Sequence, residues 1–113
     1  WIIDSGCSNH MTYDSQNFST LDRSYVAFVK VGDGRSLKVQ GIGTVTIESD
    51  NGSVAINDVL FVPSLTVNLL SVGQLMERGF QVNFMKTKCE ILDKSGKCLF
   101  SVPKVNRSFA LNF

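Results

Sequence analysis

The chain has 113 residues, 11 basic and 10 acidic, with a formal net charge of +1 and 43% hydrophobic residues. That length holds one domain with one core and is too short for a cleft between two lobes. The near-zero charge gives no electrostatic case for nucleic acid or an anionic membrane, and the longest apolar runs, such as Val59–Val62, fall far below the roughly 20 residues of a membrane span. Cys7, Cys89 and Cys98 are too few and too scattered for a disulfide framework. They point to a reducing compartment and free thiols, with a Cys89–Cys98 bridge across a hairpin left open.

In chain order, Trp1-Ile2-Ile3 is an apolar strand that reads as the start of a piece cut from a longer polypeptide. It runs into Asp4-Ser5-Gly6. An Asp at the end of a buried strand is costly unless it is hydrogen-bonded. Ser5 offers a hydroxyl, and Gly6 permits a tight turn with close backbone approach. Taken alone, the tripeptide reads as an Asx-turn closing a strand. Tyr25–Val31 is rich in β-branched and aromatic residues, Gly32-Asp33-Gly34 breaks it, and Leu37–Val39 resumes. Gly41-Ile42-Gly43 interrupts again. Thr44–Glu48 alternates, Asn51-Gly52 is a hairpin turn, and Val54–Val62 returns.

One segment has helical spacing. Leu69, Val72, Leu75 and Met76 recur at threes and fours, with Ser71 as N-cap and Gly79 where a left-handed C-terminal residue belongs. Beyond it, Gln81–Met85, Cys89–Leu92, Cys98–Val102 and Ser108–Phe113 read as strands, with turns at Lys86-Thr87-Lys88 and Lys94–Lys97. The fold class that follows is all-β with one short helix in the C-terminal half. Its simplest form is a small closed or folded-over barrel, a single domain over residues 1–113.

The opening run Trp1-Ile2-Ile3-Asp4-Ser5-Gly6-Cys7-Ser8-Asn9-His10-Met11-Thr12 closely resembles the start of the protease domain in copia-type LTR retrotransposon polyproteins. The resemblance continues through Val31-Gly32-Asp33-Gly34, Gly41–Val45, Asp58–Pro63 and Asn68–Leu75. The last part, with Cys89-Glu90-Ile91 and Asn106–Leu111, is similar to the passage toward the segment before the integrase. Motifs in this order are far more specific than Asp-Ser-Gly alone.

The resemblance implies a retropepsin-like aspartic protease that pairs with an identical second chain and processes its own polyprotein. Asp4 would be the catalytic residue, one per chain. Two carboxylates side by side cannot both ionise, so the pair shares a proton; aspartic proteases are the standard case of this effect. One carboxylate activates a water, and the other, protonated, polarises the scissile carbonyl. Ser5 and Gly6 would support the catalytic loop. Gly6 and Ser8, with Gly32, Asp33, Gly34, Arg35 and Ser36 at the tip of a flap hairpin, would meet the substrate. Val72 and Gly73 would pack beneath the loop. Many retroviral enzymes carry a paired Asp and Arg where this chain has Ser8 and Gln74, which implies a weaker grip on substrate and dimer at that corner. No metal or other cofactor, no membrane and no direct nucleic-acid contact are expected. The implied setting is intracellular, a cytoplasmic virus-like particle.

Three other readings compete. Cys7 and His10 form Cys-x-x-His, half a zinc site with no second half nearby, or a nucleophile–base pair without an orienting third group. The plainer reading makes His10 a structural side chain hydrogen-bonded near the catalytic loop. A decayed or domesticated element would keep the fold as a catalytically silent dimerisation or binding module. A generic β-barrel binding domain would leave the Asp4 loop, the glycine hairpin and Val72-Gly73 as coincidences.

Overall fold

A computed structural model describes residues 1–49, 52–105 and 108–110. Twelve strands and one α-helix follow one another among them. β1 (Ile2–Asp4), β2 (Met11–Thr12) and a 3-10 turn at Ser15–Asn17 lead to β3 (Phe18–Asp22), β4 (Ala27–Lys30) and β5 (Ser36–Val39). β6 (Ile42–Ser49), β7 (Gly52–Phe61) and β8 (Leu69–Ser71) run up to α1 (Val72–Glu77). β9 (Gln81–Phe84), β10 (Lys88–Leu92), β11 (Cys98–Val105) and β12 (Ser108–Ala110) complete the chain. The all-β reading with one short helix holds.

Ten strands share one sheet in the order β3-β6-β7-β2-β8-β1-β12-β11-β10-β9, and β4 and β5 form a separate hairpin. Of the closed or folded-over barrel expected, the closed form is not seen. Among the described residues, β3 and β9 stand at opposite ends of the sheet order. The sheet instead bends over its core. Val45 and Ile47 of β6 share one buried cluster with Ile91 of β10 and Phe100 and Val102 of β11, strands from the other half of the order. A second cluster joins Met11 to Leu37 and Val39 of β5 and to Leu60 and Val62. The inner faces of β4 and β5 obey the two-residue period: Leu37 and Val39 are buried, and Phe28 between Ala27 and Val29 is 69% exposed.

Most ladders are antiparallel. The exceptions are β1 with β8 and β2 with β7, which run parallel. β1 therefore lies between β8 and β12, with Ile3 opposite both Leu70 and Phe109. That central position buries Ile3 and carries Asp4 to the end of the strand.

Local signals place the helix. The Ser71 hydroxyl accepts the Gln74 N–H at 3.2 Å as N-cap. At the other end Gly79 takes φ +90°, its N–H reaches Met76 O, and the Phe80 N–H reaches Leu75 O. This is the Schellman arrangement that satisfies the last carbonyls. Leu69 fits the helical spacing in sequence but belongs to β8, paired with Ile2. Two strands carry no clear sequence signal. β2 has only two residues, and β3 is an edge strand with a mostly exposed pattern. The Asn51 turn position lies outside the described residues, though Ser49 faces Gly52 across the β6–β7 ladder. Of the strand read over Ser108–Phe113, the backbone of Ser108–Ala110 is β12 and the rest lies outside the described residues.

Two glycines separate close packing from mere tolerance. A Cβ at Gly43 would drive into the Thr20 carbonyl oxygen, beside the irregularity where β3 and β6 shift register. A Cβ at Gly73 would lie 3.8 Å from Ser71 Oγ, an ordinary contact, and Gly73 faces outward with a negative φ. Gly43→Ala is therefore expected to destabilise the domain by about 2–3 kcal/mol. Gly73→Ala should be neutral or stabilising by up to about 1 kcal/mol, because alanine favours helix over glycine. Urea denaturation of the two variants beside wild type checks both.

Candidate functional site

Asp4 ends β1 directly opposite Ser71 on the parallel strand β8. Its carboxylate is half-buried, and Ser5 and Gly6 after it are exposed. The Gly6 N–H donates to Asp4 Oδ1 at 2.7 Å. A Cβ at Gly6 would stand 3.2 Å from that same oxygen, so a larger residue would crowd the carboxylate. The expected close backbone approach at Gly6 is thus made to Asp4 itself.

The loop after Gly6 is tied down by two side chains from elsewhere, Ser71 and Gln74, and by its own His10 ring. Ser71 Oγ donates to Cys7 O at 2.7 Å, and the Ser71 N–H donates to His10 Nδ1 at 2.9 Å. The His10 N–H donates to Gln74 Oε1 at 2.9 Å, while Gln74 Nε2 donates to Asp58 O at 3.0 Å. His10, Ser71 and Gln74 are all buried. A buried polar group without a partner costs about 1–3 kcal/mol, and each of these has one. His10 matches the structural reading: its ring accepts the Ser71 N–H of the strand beside the Asp4 loop. Gln74 does not pair with Ser8, which accepts from Asn9 Nδ2 instead. It bridges the loop to β7, a role that the match to a retroviral Arg did not suggest. Asp58, whose carbonyl it reaches, takes φ +56° and pairs its carboxylate with Arg78.

The same bonds fix the chemistry of Cys7 and His10. An Nδ1 that accepts the Ser71 N–H leaves the ring proton on Nε2 and the imidazole uncharged. Burial, and secondarily the Arg78 cation, push its pKa down to about 4. Burial and the neighbouring Asp4 charge push the Cys7 thiol up to about 11. The Cys7 Sγ donates to Asp4 O at 3.7 Å. A nucleophile–base pair needs a thiolate and a free imidazole lone pair, and this geometry supplies neither. Among the described residues, no three His, Cys, Asp or Glu side chains gather as a metal site.

The hairpin of β4 and β5 turns through Gly32-Asp33-Gly34-Arg35, with Gly34 at φ +85°. Asp33 Oδ1 accepts the Arg35 N–H at 3.0 Å, and Asp33 Oδ2 pairs with Arg35 Nε at 2.6 Å. The Arg35 backbone bond, ahead of its side chain, lowers the Asp33 pKa. Two residues expected to meet substrate therefore hold each other at an exposed tip. Ala27, Val29 and Val31 of the hairpin and Cys7 of the Asp4 loop all pack against the second core cluster. Val72 is buried in the first cluster, but the group touching the loop is Ser71 and not the outward-facing Gly73. A cavity of about 550 Å³, lined by Ile56, Met76, Arg78, Phe80 and Lys94 among others, does not include Asp4.

The family model described as Pol polyprotein, beta-barrel domain matches residues 1–80, from β1 to the end of the Schellman turn. The chain belongs to that family. The match takes in the Asp4 loop, the hairpin, β8 and α1, while the β9–β12 segment lies beyond it. Among curated proteins, this Pol β-barrel domain is 44% identical over 72 residues to a transposon Ty5-1 protein of Saccharomyces cerevisiae, covering 64% of the chain and 47% of that protein. It is 29% identical over 96 residues to the retrovirus-related Pol polyprotein from transposon RE1 of Arabidopsis thaliana, covering 82% of the chain and 6% of the polyprotein. With the polyprotein from transposon TNT 1-94 of Nicotiana tabacum it shares 30% over 89 residues, 78% of the chain and 7% of that protein. The domain thus spans about half of the yeast relative and a small part of the plant polyproteins. Its homologues are Ty/copia-type retrotransposon Pol polyproteins.

Ser71→Ala removes the helix cap and the Cys7 tether together and is expected to cost the Pol β-barrel domain about 2–3 kcal/mol by urea titration. Stability should also depend on pH through His10. The folded state holds the ring at about 4, below the ordinary 6.5, so the unfolded chain binds the extra proton between those values. The contribution is complete above pH 6.5 and is lost as pH falls toward 4, roughly 3 kcal/mol in all. Denaturation midpoints across that window check the sign.

Proposed function

We propose that this domain is half of an aspartic endopeptidase that processes the retrotransposon Pol polyprotein, active as a homodimer with Asp4 from each chain. The observation that carries the reading is the Asp4 carboxylate at the exposed end of β1. One oxygen is held by the Gly6 N–H, and the loop behind it is clamped by Ser71 and Gln74. A clamped carboxylate at a surface is what a second copy could complete. Homology to Pol polyproteins supports the setting.

In this reading the two Asp4 carboxylates face each other across a two-fold axis and share one proton. The ionised one takes a proton from water as the water attacks the scissile carbonyl. The protonated one donates to the carbonyl oxygen. The tetrahedral intermediate then collapses with a proton delivered to the amide nitrogen, and the peptide bond breaks. Ser5 bonds across the interface, and Gly6 and Ser8 meet the substrate main chain. The tip from Gly32 to Ser36 closes over the peptide and excludes water. Opening the Asp33–Arg35 pair would free both side chains for the substrate. The reaction needs neither metal nor cofactor, and its partners are a second copy and the polyprotein. The same reading treats residues 1–113 as one protease domain, working inside a cytoplasmic particle without contacting membrane or nucleic acid.

Asp4→Asn is expected to lower cleavage of a polyprotein fragment by at least about 10²–10⁴-fold while the domain still dimerises. Pepstatin should inhibit wild type. Equal cleavage by both proteins would sink the reading. Dimers that cleave nothing would make this a catalytically silent dimerisation module.

A further inference from the structure

We propose that His10 is the positioning residue for Asp4: its uncharged ring, as a hydrogen-bond acceptor, holds residues 5–10 against β8 and the helix, and a proton on that ring releases the loop and stops the reaction. The inference rests on the aspartic-protease reading of Asp4 and adds to it a built-in acid limit.

The geometry carries the argument. His10 is 1% exposed, and its Nδ1 receives the N–H of Ser71, the residue registered opposite Asp4. A proton on Nδ1 would set two donors against each other in a dry site. Neither could turn to water, so the ring must leave the Ser71 amide. The Ser71 hydroxyl that grips Cys7 O sits on the same residue, and it also accepts the backbone N–H of Gln74, whose side-chain Oε1 accepts the His10 N–H. Displacing one ring therefore disturbs the Ser71 and Gln74 tethers on the Asp4 loop together, and leaves the Leu60 N–H on His10 O as its bond to β7. Ser5, Gly6 and Ser8 of the same loop are exposed.

Charges around the ring come from four sides. Arg78 follows the helix and disfavours a second positive charge, partly offset by its partner Asp58 in β7. Glu77 of the helix and Lys94 of the β10–β11 turn line the same cavity as His10. Asp4 and the Cys7 thiol belong to the loop itself. Burial opposes protonation more than any of them, so the latch stays closed near neutrality and opens only in acid.

His10 is the one histidine in the chain, so its imidazole NMR signals are unambiguous. In the full domain the ring is expected to stay neutral, with its proton on Nε2, until the pH nears 4. As it titrates, hydrogen-exchange protection of the Ser71 amide and of residues 5–9 should fall about tenfold or more. His10→Asn puts a carbonyl oxygen that does not titrate near the place of Nδ1. It should keep that protection through the same range and move the acid limb of Asp4-dependent cleavage to lower pH, through kcat and not KM. A ring that titrates near the ordinary value of about 6.5 without disturbing the Ser71 amide would overturn the proposal. So would an unchanged acid limb in a folded His10→Asn protein. If that variant does not fold, the wild-type titration decides alone. Undiminished cleavage by Asp4→Asn would instead remove the protease reading, and the NMR titration would still show whether His10 holds the loop.

Discussion

The amide and hydroxyl of Ser71 join segments that lie more than sixty residues apart. The amide donates to His10, and the hydroxyl donates to Cys7 O and accepts from Gln74 N. Ser71 also closes the parallel ladder opposite Asp4 and starts the helix. A dry site allows no water to replace any of these partners. The loop that carries Asp4 therefore has one low-energy placement, set by a residue that is not itself a candidate for chemistry. Among the described residues, no buried side-chain nitrogen or oxygen lacks a partner.

The loop is also where the two apolar clusters meet. Ile3 ends in one cluster, while Cys7 and Met11 pack in the other. Strand β8 makes the same division: Leu70 points into the first and Leu69 into the second. Residues 5–10 cross from one body to the other, and their backbone groups need partners along the way. The side chains of Ser71 and Gln74 supply partners at Cys7 O and the His10 N–H, and the His10 ring in turn takes the Ser71 amide, which explains three of the four buried polar residues, Thr12 being the fourth. The hairpin packs on the second cluster only, through its inner face, and leaves its tip and Phe28 outward. The tip is closed by the exposed Asp33–Arg35 pair, which adds little stability, and by the backbone bonds Val31 N–H to Arg35 O and Gly34 N–H to Val31 O.

Much of the secondary structure was legible in the residues. Ser71 and Gly79 bracket the helix because a cap and a left-handed glycine act within one turn. The break at Gly32–Gly34 and the alternation of Leu37 to Val39 mark the hairpin for the same local reason. Asp4, Ser5 and Gly6 stood out as a loop needing support, and the bond from Gly6 to Asp4 spans two residues. The reading failed where a tertiary partner overrode the local pattern. Leu69 has helical spacing but is drawn into the ladder with Ile2, and β2 and β3 exist only because longer strands pair with them. Gln74 looked like the remnant of a lost ion pair, yet its amide is bonded at both ends.

By itself the sequence determined the all-β class, the single short helix with its caps, the hairpin turn and the carboxylate loop. All of these depend on interactions between near neighbours in the chain. Only the tertiary structure decided that β1 runs parallel to β8, that the sheet bends without closing, and that Ser71, His10 and Gln74 converge on the loop. Such pairings depend on which distant surfaces exclude water together, and no local spacing encodes that choice. The carboxylate was visible from the start; what holds it in place became visible only in the fold.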